Sequence, residues 1–108
     1  MPKTLLVLCT CPDRDVALEL SGPLIEQGLA ACVNILAGVT SVYRWEGRVA
    51  QEAECLLLIK TTEARYPALE QALRTRHPYE LPEIIAVPIE QGLAEYLQWV
   101  DRCTKTSR

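Results

Sequence analysis

The chain has 108 residues, 49% of them hydrophobic and 23% charged, with a formal net charge of −3. That length amounts to one domain and buries only about two-thirds of the unfolded surface, so contacts with sister subunits would add stability. The acidic balance lacks the Lys and Arg excess that holds nucleic acid or an anionic membrane, and no stretch approaches the ~20 apolar residues of a membrane span.

The first predicted element is a strand over Thr4–Thr10. Leu5–Leu8 after Lys3 is too short for the apolar region of a secretory signal, and Cys9–Asp13 offers no small-residue cleavage site. Asp13, behind Pro12, suits a helix cap, and Val16, Leu20 and Leu24 recur every four residues as a buried stripe. Gly22-Pro23 predicts a kink, because a mid-helix proline removes a hydrogen bond, and Gly28 closes the helix. Ala31–Trp45 and Arg48–Thr61 then read as the two arms of a hairpin turning at Glu46-Gly47. Arms of about fifteen residues reach nearly ~50 Å at ~3.3 Å per residue, against a diameter near ~35 Å for a domain this size. The hairpin tip therefore overhangs the domain unless Gly38 bends the strand. Gln51, Glu52 and Glu54 mark the tip half of the return arm as wet, whereas Leu56–Ile59 is continuously apolar, as in a strand buried on both faces.

A second helix lies between Thr62 and His77, with Thr62 as its cap, Tyr66, Leu69 and Leu73 as its stripe, and Pro78 as its stop. The proline-braced loop Pro78–Glu83 leads into a strand over Glu83–Ile89. Gln91-Gly92 turns the chain into a third helix, Leu93–Cys103, with Leu93, Tyr96, Leu97 and Val100 on one face. The order β-α-β-β-α-β plus a C-terminal helix is the ferredoxin-like α+β sandwich, a single domain over residues 1–108. Its two main helices cover one sheet face. Leu5–Leu8, Leu56–Ile59 and Ile84–Val87 are apolar at consecutive positions, so the other face also wants cover, and another copy of the chain can supply it.

Five cysteines, an odd number without a CxxC pair, signal neither a disulfide framework nor a tetrahedral zinc site; they fit free thiols in a reducing cytoplasm. His77 is the only histidine, which excludes a multi-histidine metal site within one chain. Its place at a helix end suits a metal ligand or proton carrier, and spacing alone favours a dipole-held imidazole. Cys9 and Cys11 share a strand face; a thiolate there suits copper(I) or zinc, while a strand cysteine more often serves as a small buried hydrophobe. Tyr43 and Trp45 flank the hairpin tip and are placed to pack against a neighbouring subunit. Lys60, Glu80 and Glu83 are placed for a pocket rim or an ion pair. No phosphate-binding glycine loop, GxSxG or HExxH is present, so binding is expected rather than catalysis.

Three segments together carry a family signature: Ala30-Ala31-Cys32-Val33-Asn34-Ile35, Ser41-Val42-Tyr43-Arg44-Trp45-Glu46-Gly47, and His77-Pro78-Tyr79-Glu80-Leu81-Pro82-Glu83-Ile84-Ile85. With Leu58-Ile59-Lys60-Thr61 and Tyr96-Leu97-Gln98-Trp99 they run in order along a chain that closely resembles the CutA family of divalent-cation tolerance proteins. The resemblance implies a compact homotrimer of ferredoxin-like subunits, similar in architecture to the PII signalling proteins. It also implies a role in tolerance of copper and other divalent ions. Carried over by position, the metal ligands are Cys9 and His77. Some members have a second histidine where this chain has Arg76, whose guanidinium cannot ligate. Copper is then a possible bound ion, no cofactor is required for folding, and divalent metal ions and sister subunits are the expected partners; no protein partner is named. The alternative is a PII-like sensor binding a small molecule between subunits, with Lys60, Tyr79 and Glu83 lining the pocket.

Overall fold

The computed structural model describes residues 3–105. The elements run β1 (Thr4–Cys11), α1 (Arg14–Glu26), β2 (Cys32–Trp45), β3 (Arg48–Thr62), α2 (Tyr66–Arg76), β4 (Ile84–Pro88) and α3 (Ala94–Thr104). The four strands form one sheet in the order β2-β3-β1-β4, with every neighbouring pair antiparallel. This is the ferredoxin-like order the sequence predicts: β3 lies between β1 and β2, and β1 between β3 and β4.

Side-chain alternation divides the sheet into two faces. On one, Val7, Cys9 and Cys11 of β1 lie opposite Ile59, Leu57 and Cys55 of β3. They pack with Ala17, Leu20 and Leu24 of α1 and Leu69 and Leu73 of α2 to make the core. The other face carries Leu6, Leu8, Leu56 and Leu58, joined by Leu36, Ile85 and Val87 at the edges. Those edge residues are 43%, 50% and 44% exposed, so an apolar surface stands open. Helix α3 meets this face at one end, where Tyr96 is hydrogen-bonded to Cys32 and Cys32 lies opposite Lys60.

Local chemistry fixes the element ends. Asp13 caps α1 by accepting a 2.9 Å hydrogen bond from the Val16 N–H. At the other end Gly28, with φ +69°, donates to Ile25 O at 3.1 Å, and Leu29 donates to Leu24 O at 2.9 Å. That pair of bonds is a Schellman motif, which needs the left-handed conformation glycine adopts cheaply. Helix α1 runs through Pro23 as one element. The carbonyl that loses its partner belongs to Glu19, an exposed residue that water can reach.

The predicted start of α2 also changes. Thr62 is the last residue of β3, opposite Thr4, and the helix begins only at Tyr66, with Pro67 in its first turn and no side-chain cap. Leu93 precedes α3 and is 70% exposed, so it does not belong to the buried face, which Val100 dominates.

The hairpin overhangs as expected. The register of β2 against β3 shifts between Leu36 and Val39, around Gly38 at φ +82°, a β-bulge with a left-handed residue. Pairing then continues to Trp45 opposite Arg48. Glu46 and Gly47, both at positive φ, close a two-residue turn. The chain measures 46 × 27 × 21 Å, and Val42, Tyr43, Trp45 and Val49 of the tip are exposed.

Candidate functional site

The chemistry-bearing residues gather where β1 ends, beneath the loop that joins α2 to β4. His77 caps α2, its backbone N–H donating to Leu73 O at 2.8 Å, and its side chain is buried. The ring spans two backbone groups. Nδ1 accepts from the Tyr79 N–H at 3.1 Å, and Nε2 lies 2.8 Å from the Thr10 carbonyl oxygen. An amide N–H can only donate, so in the neutral ring the proton sits on Nε2, which donates to Thr10 O. The Cys9 thiol points to the same Thr10 oxygen at 3.8 Å. Burial first, then the nearby Cys11, Glu83 and Glu54, pushes the Cys9 pKa up to about 12.

The loop is pinned a second time. Tyr79 Oη donates to Glu54 Oε2 at 2.6 Å, and the Tyr79 and His77 rings lie 4.8 Å apart at 51°. Burial first, and then the bond to Glu54, raises the Tyr79 pKa well above the usual tyrosine range. Thr10 Oγ1 donates to Glu83 Oε1 at 3.5 Å, tying the far shoulder of the loop to β1. Between this loop and the outer half of the hairpin opens a groove of about 870 Å³, lined by Tyr43, Trp45, Glu54, Tyr79 and Glu83 among others. Glu52 and Glu80 add to its acidic lining, with Arg44 as its cation.

The residues expected from sequence sort clearly against this geometry. Cys9 and His77 do converge, on one oxygen. Among the described residues, no three His, Cys, Asp or Glu side chains gather in a way that could hold a metal ion. Tyr79 and Glu83 share the groove, together with Tyr43 and Trp45. Lys60 does not: it lies ~20 Å along β3 from Glu54 at ~3.3 Å per residue, and its ammonium donates to Asn34 Oδ1. Glu80 is exposed at the groove.

Two contributors escape the sequence reading. Thr10 supplies the shared carbonyl, a backbone role that residue type cannot announce. Glu54 reads as part of a wet arm with Glu52, yet it is only 8% exposed, because Tyr79 folds over it. Its position directly before the apolar run Cys55–Ile59 was the available signal.

Chemically, this corner holds and orients rather than attacks. The Cys9 sulfur stays protonated, and both nitrogens of His77 are committed to backbone. Fold and site together define a ferredoxin-like α+β domain with an open apolar sheet face, an overhanging hairpin and a groove between hairpin and loop.

The family model described as CutA1 divalent ion tolerance protein matches residues 5–103, and the chain belongs to that family. It is 48% identical over 95 residues to the divalent-cation tolerance protein CutA of Thermus thermophilus, covering 88% of this chain and 92% of that relative. It is 45% identical over 97 residues to human Protein CutA, covering 90% of this chain and 54% of the longer human protein. In three dimensions it superposes on the crystal structure of CutA1 from Oryza sativa with a TM-score of 0.94 at 42% identity, covering 98% of this chain and 97% of that one. No described helix is long and apolar enough to cross a membrane.

Proposed function

We propose that this protein acts in divalent-cation tolerance as a cytoplasmic homotrimer that binds metal ions, copper among them, and catalyses no reaction. Family membership supports the tolerance role. The observation that carries the metal reading is the convergence of the Cys9 thiol and the His77 Nε2 on the Thr10 carbonyl oxygen. A thiolate and an imidazole are soft to borderline donors, suited to copper or zinc rather than magnesium or calcium. A cation would displace the Cys9 proton, and His77 would bind it as a neutral imidazole only by shifting its proton from Nε2 to Nδ1, which gives up the bond from the Tyr79 N–H. The test is copper titration of wild type, Cys9→Ser and His77→Ala. Weakened binding in both variants supports the pair as ligands; binding as tight as wild type in both makes them structural. The trimer reading is supported by the open apolar face and the exposed hairpin aromatics.

A second reading, a PII-like sensor of a small molecule, is favoured by the groove that brings Tyr79 and Glu83 against Tyr43 and Trp45. Lys60 lies outside that pocket. Native mass spectrometry with copper, zinc or nucleotides added separately distinguishes the two readings and counts subunits at the same time. A retained nucleotide favours the sensor, and a retained metal favours tolerance.

A further inference from the structure

Three of the five cysteines occupy the core face of the sheet, and two of them are paired. Cys11, the last residue of β1, lies directly opposite Cys55 of β3. Directly opposed residues of antiparallel strands have Cα atoms about 4.5–5.5 Å apart, inside the ~4.4–6.8 Å range of disulfides. Both thiols are free. No other cysteine has such a partner in the sheet: Cys9 faces Leu57 and Ile84, Cys32 faces Lys60, and Cys103 is exposed on α3. The residues beside the pair are the two anchors of the loop. Thr10 presents the carbonyl that holds His77, and Glu54 presents the carboxylate that holds Tyr79.

We infer that Cys11 and Cys55 form a redox couple, a modification site at which a low-molecular-weight disulfide closes a cross-strand bond at the base of the hairpin. Cys55 attacks first, being the less completely buried of the two. Its sulfur bonds to one sulfur of the small disulfide and expels the other as a thiolate. Cys11 then attacks the Cys55 sulfur of that mixed disulfide and expels the second small thiolate. The two cysteine protons end on the two small thiols; the protein pair loses two electrons and the small disulfide gains them. Both sulfurs are buried in the closed sheet, out of reach of a small disulfide in solution. Exchange therefore proceeds through local opening of this sheet end, and its rate levels off as oxidant is raised. Once formed, the bond fixes Thr10 and Glu54 relative to each other, and with them the two attachment points of loop 77–83.

The test uses the full chain carrying Cys103→Ser, which removes the exposed thiol. The native protein is incubated with glutathione disulfide to a plateau, quenched in acid, unfolded, alkylated and digested. The expected result is the loss of Cys11 and Cys55 from the alkylated set, with a Cys11–Cys55 linked peptide that disappears on reduction. Cys9 should stay alkylatable throughout. In Cys55→Val no linked peptide should form, and Cys11 should remain alkylatable or carry glutathione. Full alkylation of both cysteines at the plateau, a link to Cys9, or a link that forms only in denaturant would overturn the inference.

Discussion

His77 is a histidine whose two nitrogens are both occupied by the backbone of its own chain, and Tyr79 is tied by its hydroxyl to the Glu54 carboxylate. Such contacts have measurable worth. Tyr79→Phe leaves the Glu54 carboxylate buried without its donor, and a cost of about 1–3 kcal/mol is expected in urea unfolding. The thiols give a pH signature. Folded Cys9 keeps its proton to about pH 12 and Cys11 to about 11, both against an ordinary 9.0. The unfolded chain gives these protons up earlier, so it binds fewer of them at alkaline pH and is favoured there. Stability should be intact below pH 9 and fall as pH rises toward 12, and Cys9→Ala should flatten that slope of the urea midpoint. The convergence of Cys9 and His77 was legible because both stand at strand–helix junctions that this topology brings to the sheet end. The separation of Lys60 from Tyr79 was not, since it depends on which end of β3 the loop 77–83 folds over, and Tyr79 docks on Glu54.

The elements themselves were mostly visible in local chemistry. Apolar runs marked the strands, Asp13 the start of α1 and Glu46-Gly47 the hairpin turn. The start of α2 was misread because Thr62 has a stronger tie than capping: its pairing with Thr4 extends β3. Helix α1 continues through Pro23 because a helix tolerates a lost hydrogen bond where the abandoned carbonyl can meet water. The bulge at Gly38 offers a test. A side chain there meets no neighbour, so Gly38→Ala should cost only the left-handed backbone penalty, about 1–2 kcal/mol, and Gly38→Asn should cost less. Equal stability of all three chains by chemical denaturation would show that the bulge relaxes.

On the scale of the whole molecule, the two sheet faces differ sharply. One is sealed by α1 and α2; the other leaves Leu36, Ile85 and Val87 in water. If the open face is the contact surface of the proposed trimer, a charge placed on it should break assembly without unfolding the chain. Val87→Glu is expected to shift the sedimentation profile toward monomer while the far-ultraviolet spectrum stays native. Trp45→Ala should weaken assembly, because interface aromatics often carry much of the association energy. A profile unchanged in both variants would place the subunit contacts elsewhere.

The overhanging hairpin has a kinetic consequence as well. Its strands are joined by a two-residue turn, so pairing spreads from Trp45 and Arg48 with very short loops to close. The arm can zip up early in folding, before β1 and β4 find their places in the sheet. Until then it presents apolar side chains and a free strand edge on β2, features that let one chain add to the next without limit. Refolding should therefore run as a race whose outcome depends on protein concentration: dilute chains complete their sheets, and crowded ones stick through their arms. Replacing Val42 and Val49 with threonine should widen the concentration range over which soluble protein is recovered from urea.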